Sequence, residues 1–229
     1  MKQDGKFILM NREELREYIN RLSDNKKFTT IHQHHTVSPS YKDVNNNHFA
    51  LMRGMENYHV KALNMSEIAQ HFSTFPDGSI CVGRPLTKDG GGFYGNQNKN
   101  SITIENVGDF DINVMTEEQN QSIILLNALL CKKFDIVPST ETLIYHCWVK
   151  NKSCPGKTFF GGNTKQAAEQ NFIPLIKAAI KDPMTFEQAL EIVVKKIDSS
   201  YSYWLKRKDI DLAFQALIIK IAKTYMGGK

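Results

Sequence analysis

Histidine, cysteine and a carboxylate set in an apolar strand are the side chains here with types and spacing fit for chemistry near neutral pH. His32-Gln33-His34-His35-Thr36 follows a short apolar run, His146 follows another, and Cys154 comes eight residues later in Lys152-Ser153-Cys154-Pro155-Gly156. Zinc takes imidazole nitrogen and thiolate sulfur, and a zinc centre that acts on a substrate keeps three protein ligands and one open position. His34, His146 and Cys154 can supply that set, because strand ends and an adjoining tight loop can converge on one point. Spacing alone leaves a plainer reading standing, in which the histidines are satisfied structural groups and the cysteine is a small hydrophobe. His32 shares a strand face with His34 by the two-residue period and is the second-best ligand candidate. A two-metal reading of His-x-His-His is disfavoured, since it wants an aspartate where Gln33 or Thr36 stands. Glu105, inside the β-branched run Ser101–Val107, either handles protons or is buried in an ion pair. Lys152, taken alone, reads as a solvated surface lysine.

These residues need elements to carry them. Phe28–Ile31 reads as a buried strand, Ser101–Val107 as a second and Leu143–Cys147 as a third. Phe72–Phe75 and Ser79–Gly83 flank Pro76-Asp77-Gly78, which predicts a β-hairpin. Asn11-Arg-Glu-Glu14 has the form of a capping box ahead of Leu15, Ile19 and Leu22 at helical spacing, and Thr116-Glu-Glu-Gln119 opens a second helix to about Phe134. Leu51, Met52, Met55, Tyr58 and His59 share one face of a further helix. Gly90-Gly91-Gly92 reads as a flexible loop, and Pro174 should kink or end the helix that follows Gly161-Gly162-Asn163-Thr164. His48 and His59 receive no role.

A chain of 229 residues with 41% hydrophobic and 23% charged residues is long enough to bury a core without staples. The formal charge of +5, from 29 basic and 24 acidic residues, contains no like-charged block of the kind that binds nucleic acid. No stretch approaches the apolar length of a membrane span, so stable membrane insertion is not expected. Cys81, Cys131, Cys147 and Cys154 do not have the spacing of a disulfide framework and are expected as reduced thiols. Only four apolar residues, Phe7–Met10, follow the N-terminus before charges return, too few for a signal peptide. Synthesis in the cytoplasm is expected.

Five strings taken together resemble the zinc-dependent N-acetylmuramoyl-L-alanine amidases, the superfamily of phage lysins and peptidoglycan recognition proteins. They are Gln33-His-His-Thr36, Ser38-Pro-Ser-Tyr41, Gln70-His-Phe-Ser-Thr-Phe-Pro-Asp-Gly78, Ile104-Glu-Asn-Val-Gly108 and Lys152-Ser-Cys-Pro-Gly156. The likeness is greatest to amidase endolysins of phages and prophages of clostridia and bacilli, and it spans roughly residues 29–162. It implies Zn²⁺ as cofactor, held by His34, His146 and Cys154, a position where some members carry aspartate. It implies Glu105 as proton handler, Lys152 as catalytic lysine, and bacterial peptidoglycan as the partner. Gln70 stands where several members have a tyrosine; Gln70, His35 and His71 are candidate substrate contacts. Released onto the cell wall in the manner of a phage lysin, such an enzyme would cut the bond between N-acetylmuramic acid and L-alanine. The alternatives are a non-catalytic peptidoglycan-binding module of the same fold and a hydrolase of another small amide.

The fold expected is α/β, a central mixed sheet of about five or six strands flanked by helices. Residues 1–181 would form the catalytic domain, with 1–28 as a strand and helix extension. Asp182-Pro183 marks a boundary, after which residues 182–229 read as a small all-helical segment bearing Tyr201, Tyr203 and Trp204, a candidate wall-binding or association module.

Overall fold

The computed structural model describes residues 1–181 other than Asp24 and Tyr94. The expected helices after Asp182, and the aromatic residues on them, lie outside the described residues. The described residues build one mixed seven-stranded sheet in the order β1-β2-β5-β4-β6-β3-β7. Its strands are β1 (Lys2–Asp4), β2 (Phe7–Met10), β3 (Thr30–His35), β4 (Phe72–Thr74), β5 (Ile80–Val82), β6 (Ser101–Asn106) and β7 (Leu143–Tyr145). β4, β6, β3 and β7 run parallel, whereas β1, β2 and β5 pair antiparallel. The seventh strand is the N-terminal β1, whose three residues are all exposed and so leave no hydrophobic pattern to read. Gly5, at φ 58°, lets the chain reverse between β1 and β2.

Sheet parity divides the molecule into two faces. Ile31, Ile102, Ile104, Ile80 and Val82 point to one side, where α1 (Arg12–Arg21) and α3 (Glu117–Lys133) cover them with Leu15, Ile19, Ile123, Leu126 and Leu130. Cys81, Phe7 and Val107 point to the other, against Met52 and Met55 of α2 (His48–Lys61). α1 begins on the expected box: Asn11 Oδ1 accepts the Glu14 N–H at 2.9 Å and Glu14 Oε2 accepts the Asn11 N–H at 3.0 Å. At α3 the Thr116 hydroxyl caps the Gln119 N–H, but the Gln119 side chain turns into the sheet and donates to the carbonyls of Thr74 and Val107. Pro174 does not end its helix. A π turn (Ala168–Phe172) precedes it, and the helix runs on through Pro174 as α4 (Ile173–Lys181). All four cysteines are free thiols.

Candidate metal centre

The strand expected to end at Ile31 runs on to His35, paired in parallel on both sides. Its length decides the site. Odd residues Ile31 and Gln33 face α3, where Gln33 Nε2 donates to Asn127 Oδ1 at 2.7 Å. Even residues His32 and His34 therefore face the other side. β6 lies in register, with His34 opposite Glu105, so Thr103 and Glu105 share the His34 face. Asn106 points the opposite way and donates to the His34 carbonyl at 2.8 Å while accepting from the Thr74 hydroxyl at 2.8 Å. β7 stops at Tyr145, so His146 emerges at the sheet's end, in a 3₁₀ turn. The backbone then loops back, and the Cys147 N–H donates to the Cys154 carbonyl at 2.7 Å.

These elements bring His34, His146 and Cys154 together, each offering one ligand atom within 4.8 Å of the others. Cys154 Sγ lies 3.7 Å from His34 Nδ1 and accepts the His35 backbone N–H at 3.3 Å. The imidazole centroids of His34 and His146 are 4.5 Å apart. Glu105 Oε1 is 4.0 Å from His34 Nδ1, and its Oε2 is buried without a hydrogen-bond partner, as is His146 Nε2. Burial, joined by the neighbouring His146 and His32, holds His34 well below its ordinary pKa. Burial and then Lys152 bring His146 down to about 4, so both rings are neutral donors. Burial pushes the Cys154 thiol up, and the Glu105 charge adds to the rise. A thiolate there therefore calls for a cation. Burial likewise raises Glu105 to about 8, opposed by Lys152. Neutral imidazoles, a buried sulfur and a partnerless carboxylate oxygen around one point fit Zn²⁺. Lys152 is exposed at the rim.

One neighbour escaped sequence reading, and a second plays a different part from the one expected. Phe93 stacks on His32 at 4.0 Å and lies 5.3 Å from both His34 and His146, closing one side of the cluster; a lone aromatic in a glycine-rich loop carries no signal for that. The triple glycine before it is pressed against the sheet. Gly90 N–H donates to Ser101 O and Gly91 N–H to Ala69 O, and a Cβ on Gly92 would sit 2.4 Å from His34 Nε2. The expected looseness is thus a requirement for close approach. Gly92→Ala should rotate His34 and weaken zinc affinity by about tenfold or more. Zinc retained after dialysis against a weak competing chelator measures this, and wild-type retention would refute it.

The other expected residues divide. His35 lines a cavity of about 720 Å³ together with Glu105, Val37, Leu51, Tyr58 and His59. Val37, 50% exposed, and Tyr58, 60% exposed, mark where this groove opens to solvent. His59, given no role from sequence, accepts the Ala69 N–H on Nδ1 at 3.2 Å. His32 is stacked on Phe93 with Nε2 3.1 Å from the Thr30 hydroxyl, outside the three-residue cluster. Gln70 and His71 are fully buried and turn inward, contrary to the expectation of substrate contact. Gln70 donates to Ser73 Oγ at 3.0 Å. His71 Nδ1 accepts the Thr103 N–H at 3.0 Å, so its Nε2 carries the proton and donates to Lys88 O at 3.1 Å. Burial holds His71 down to about 4. The unfolded ring binds a proton below about 6.5 and the folded ring does not, so stability is full above that value and lost as pH falls toward 4. Between pH 7 and pH 5 the loss from this group is about 2 kcal/mol. Urea unfolding of the metal-free protein at both values should show a smaller pH difference in His71→Gln than in wild type.

A sequence profile described as N-acetylmuramoyl-L-alanine amidase matches residues 24–157. No curated protein matches the chain significantly. Among solved structures, the amidase LysC from Clostridium intestinale URNW is 27% identical, with a TM-score of 0.51 over 65% of this chain and 88% of that one. Drosophila PGRP-LB is 23% identical, with a TM-score of 0.54 over 66% of this chain and 84% of that one. A Drosophila PGRP-LB variant in complex with tracheal cytotoxin is 24% identical, with a TM-score of 0.51 over 59% and 78%. The two Drosophila structures share the fold.

Proposed function

The chain belongs to the N-acetylmuramoyl-L-alanine amidase family, and we propose that it is a zinc-dependent hydrolase of bacterial peptidoglycan, cutting between N-acetylmuramic acid and L-alanine. The observation that carries this reading is the convergence of His34, His146 and Cys154 beside Glu105. The likeness to LysC supports it. His34 Nδ1, His146 and Cys154 Sγ would hold the ion. Bound Zn²⁺ supplies a Lewis acid that acidifies water and polarises a carbonyl.

The chain's own groups supply the rest. Glu105 is positioned to take a proton from the attacking water and to deliver it to the leaving nitrogen of L-alanine. Lys152, at the rim, would face the oxyanion of the tetrahedral intermediate. The groove between residues 36–43 and α2 gives the glycan or its stem peptide an approach to Glu105 and His35. No helix among the described residues is long and apolar enough to cross a membrane. We place the site of action at the cell wall, reached after release in the manner of a lysin.

Digestion of purified peptidoglycan with and without a chelator, read by mass spectrometry, tests the reading. New free L-alanine amines that vanish with the chelator, without new reducing sugars, are expected. Wall binding without cleavage by the zinc-loaded protein would favour a recognition module instead.

A further inference from the structure

Two groups of the proposed centre, Lys152 and Cys154, sit on a loop, and Ser153 lies between them. The Ser153 hydroxyl donates to Asp111 Oδ2. The other carboxylate oxygen, Asp111 Oδ1, accepts the Lys157 backbone N–H at 2.9 Å. Asp111 thus spans the loop, holding it ahead of Cys154 and behind it. The Ser153 carbonyl is taken by Asn163 Nδ2 at 2.9 Å.

The carboxylate is itself aimed. Asn113 Oδ1 accepts the Asp109 N–H at 2.8 Å, the Asp109 carbonyl accepts the Asn113 N–H at 2.6 Å, and Asp109 Oδ1 accepts the Asp111 N–H at 3.1 Å. The same turn presses on the loop through its backbone. Thr158 donates to Phe110 O through its N–H at 2.8 Å and its hydroxyl at 2.6 Å, and a Cβ on Gly156 would lie 2.5 Å from the Phe110 carbonyl carbon. This turn is also the direct continuation of β6, the strand that carries Glu105. One short segment therefore ties the strand bearing the proton handler to the loop bearing the lysine and the sulfur.

We propose that Asp111 is a positioning residue that sets the Lys152–Cys154 loop against Glu105 and the two imidazoles. This rests on the zinc-amidase reading of the same site. Asp111 is neither one of the three converging donors nor part of the groove lining, so its loss should show in metal grip and turnover and leave groove binding alone.

Cobalt(II) substitution tests it, because the thiolate-to-cobalt absorption band reports the sulfur's placement independently of activity. Asp111→Ala should shift or weaken that band and lower cobalt affinity by about 10- to 100-fold. On a soluble muramyl peptide, kcat should fall by a similar factor with KM within about twofold. Asp111→Asn keeps an acceptor for the Lys157 N–H and should recover most of the loss. Ser153→Ala removes only the hydroxyl tie and should show the same band shift, smaller; it serves if Asp111→Ala does not fold. A wild-type band and affinity in Asp111→Ala, or in Ser153→Ala when that variant stands alone, overturns the proposal. Wild-type protein that binds cobalt through sulfur yet releases no L-alanine amine overturns the amidase reading and leaves the band comparison decisive for Asp111.

Discussion

Cys154→Ala should lose essentially all peptidoglycan cleavage, about a thousandfold or more, and lose its bound zinc with it. In the proposed centre the sulfur is one of three donors, and its removal would leave two neutral imidazoles, too few to retain a divalent ion against solvent. The protein should still fold, because Cys154 sits on a loop whose backbone is held by the Cys147 N–H and by Asn163. Cys154→Asp should keep partial zinc and partial activity, since a carboxylate oxygen can replace sulfur as a ligand. The measurement is zinc content by mass spectrometry alongside release of L-alanine amines from purified wall. A Cys154→Ala protein with full zinc and full activity would disprove the assignment of the third ligand.

Glu105→Gln separates metal binding from catalysis. The carboxylate lies 4.0 Å from His34 Nδ1, near the ligand cluster without belonging to it, and one of its oxygens is buried without a partner. Glutamine preserves the shape and the strand pairing but can neither accept the proton of an attacking water nor return it. Turnover should fall by about 10²- to 10⁴-fold, the range typical of positioned acid–base groups. Zinc content should stay near one per chain, and the fold should be retained, because glutamine keeps the side chain's volume on β6. Equal loss of zinc and turnover would make Glu105 a ligand or a structural group. Turnover within about threefold of wild type would remove it from the chemistry altogether.

The cluster of His34, His146 and Cys154 was legible because zinc chemistry admits few residue types and because these three stand near strand ends or in a tight loop. The strand carrying His34 was harder to delimit. Thr30-Ile-His-Gln-His-His35 lacks the apolar run expected of an interior strand, yet it pairs on both sides, with the Gln33 amide bonded to Asn127 and Asn106 and the His32 ring stacked on Phe93. A pattern of hydrophobicity cannot anticipate partners that come from remote segments. The same holds for Gln70 and His71, where a shared motif gave no information on which way the side chains turn. Gly90–Gly92 was visible as an unusual string, but three glycines signify close approach as readily as freedom, and only the position of His34 distinguishes the two.

The two imidazoles are anchored where strands of the central sheet end, whereas the sulfur comes from a loop between elements. Such a centre has a rigid half and a replaceable half. Exchanging the loop would alter the softness of the donor set, and with it the preference among divalent ions, while the β scaffold stayed as it is. Grafting experiments that seek a new metal selectivity in this protein would therefore begin at residues 152–157.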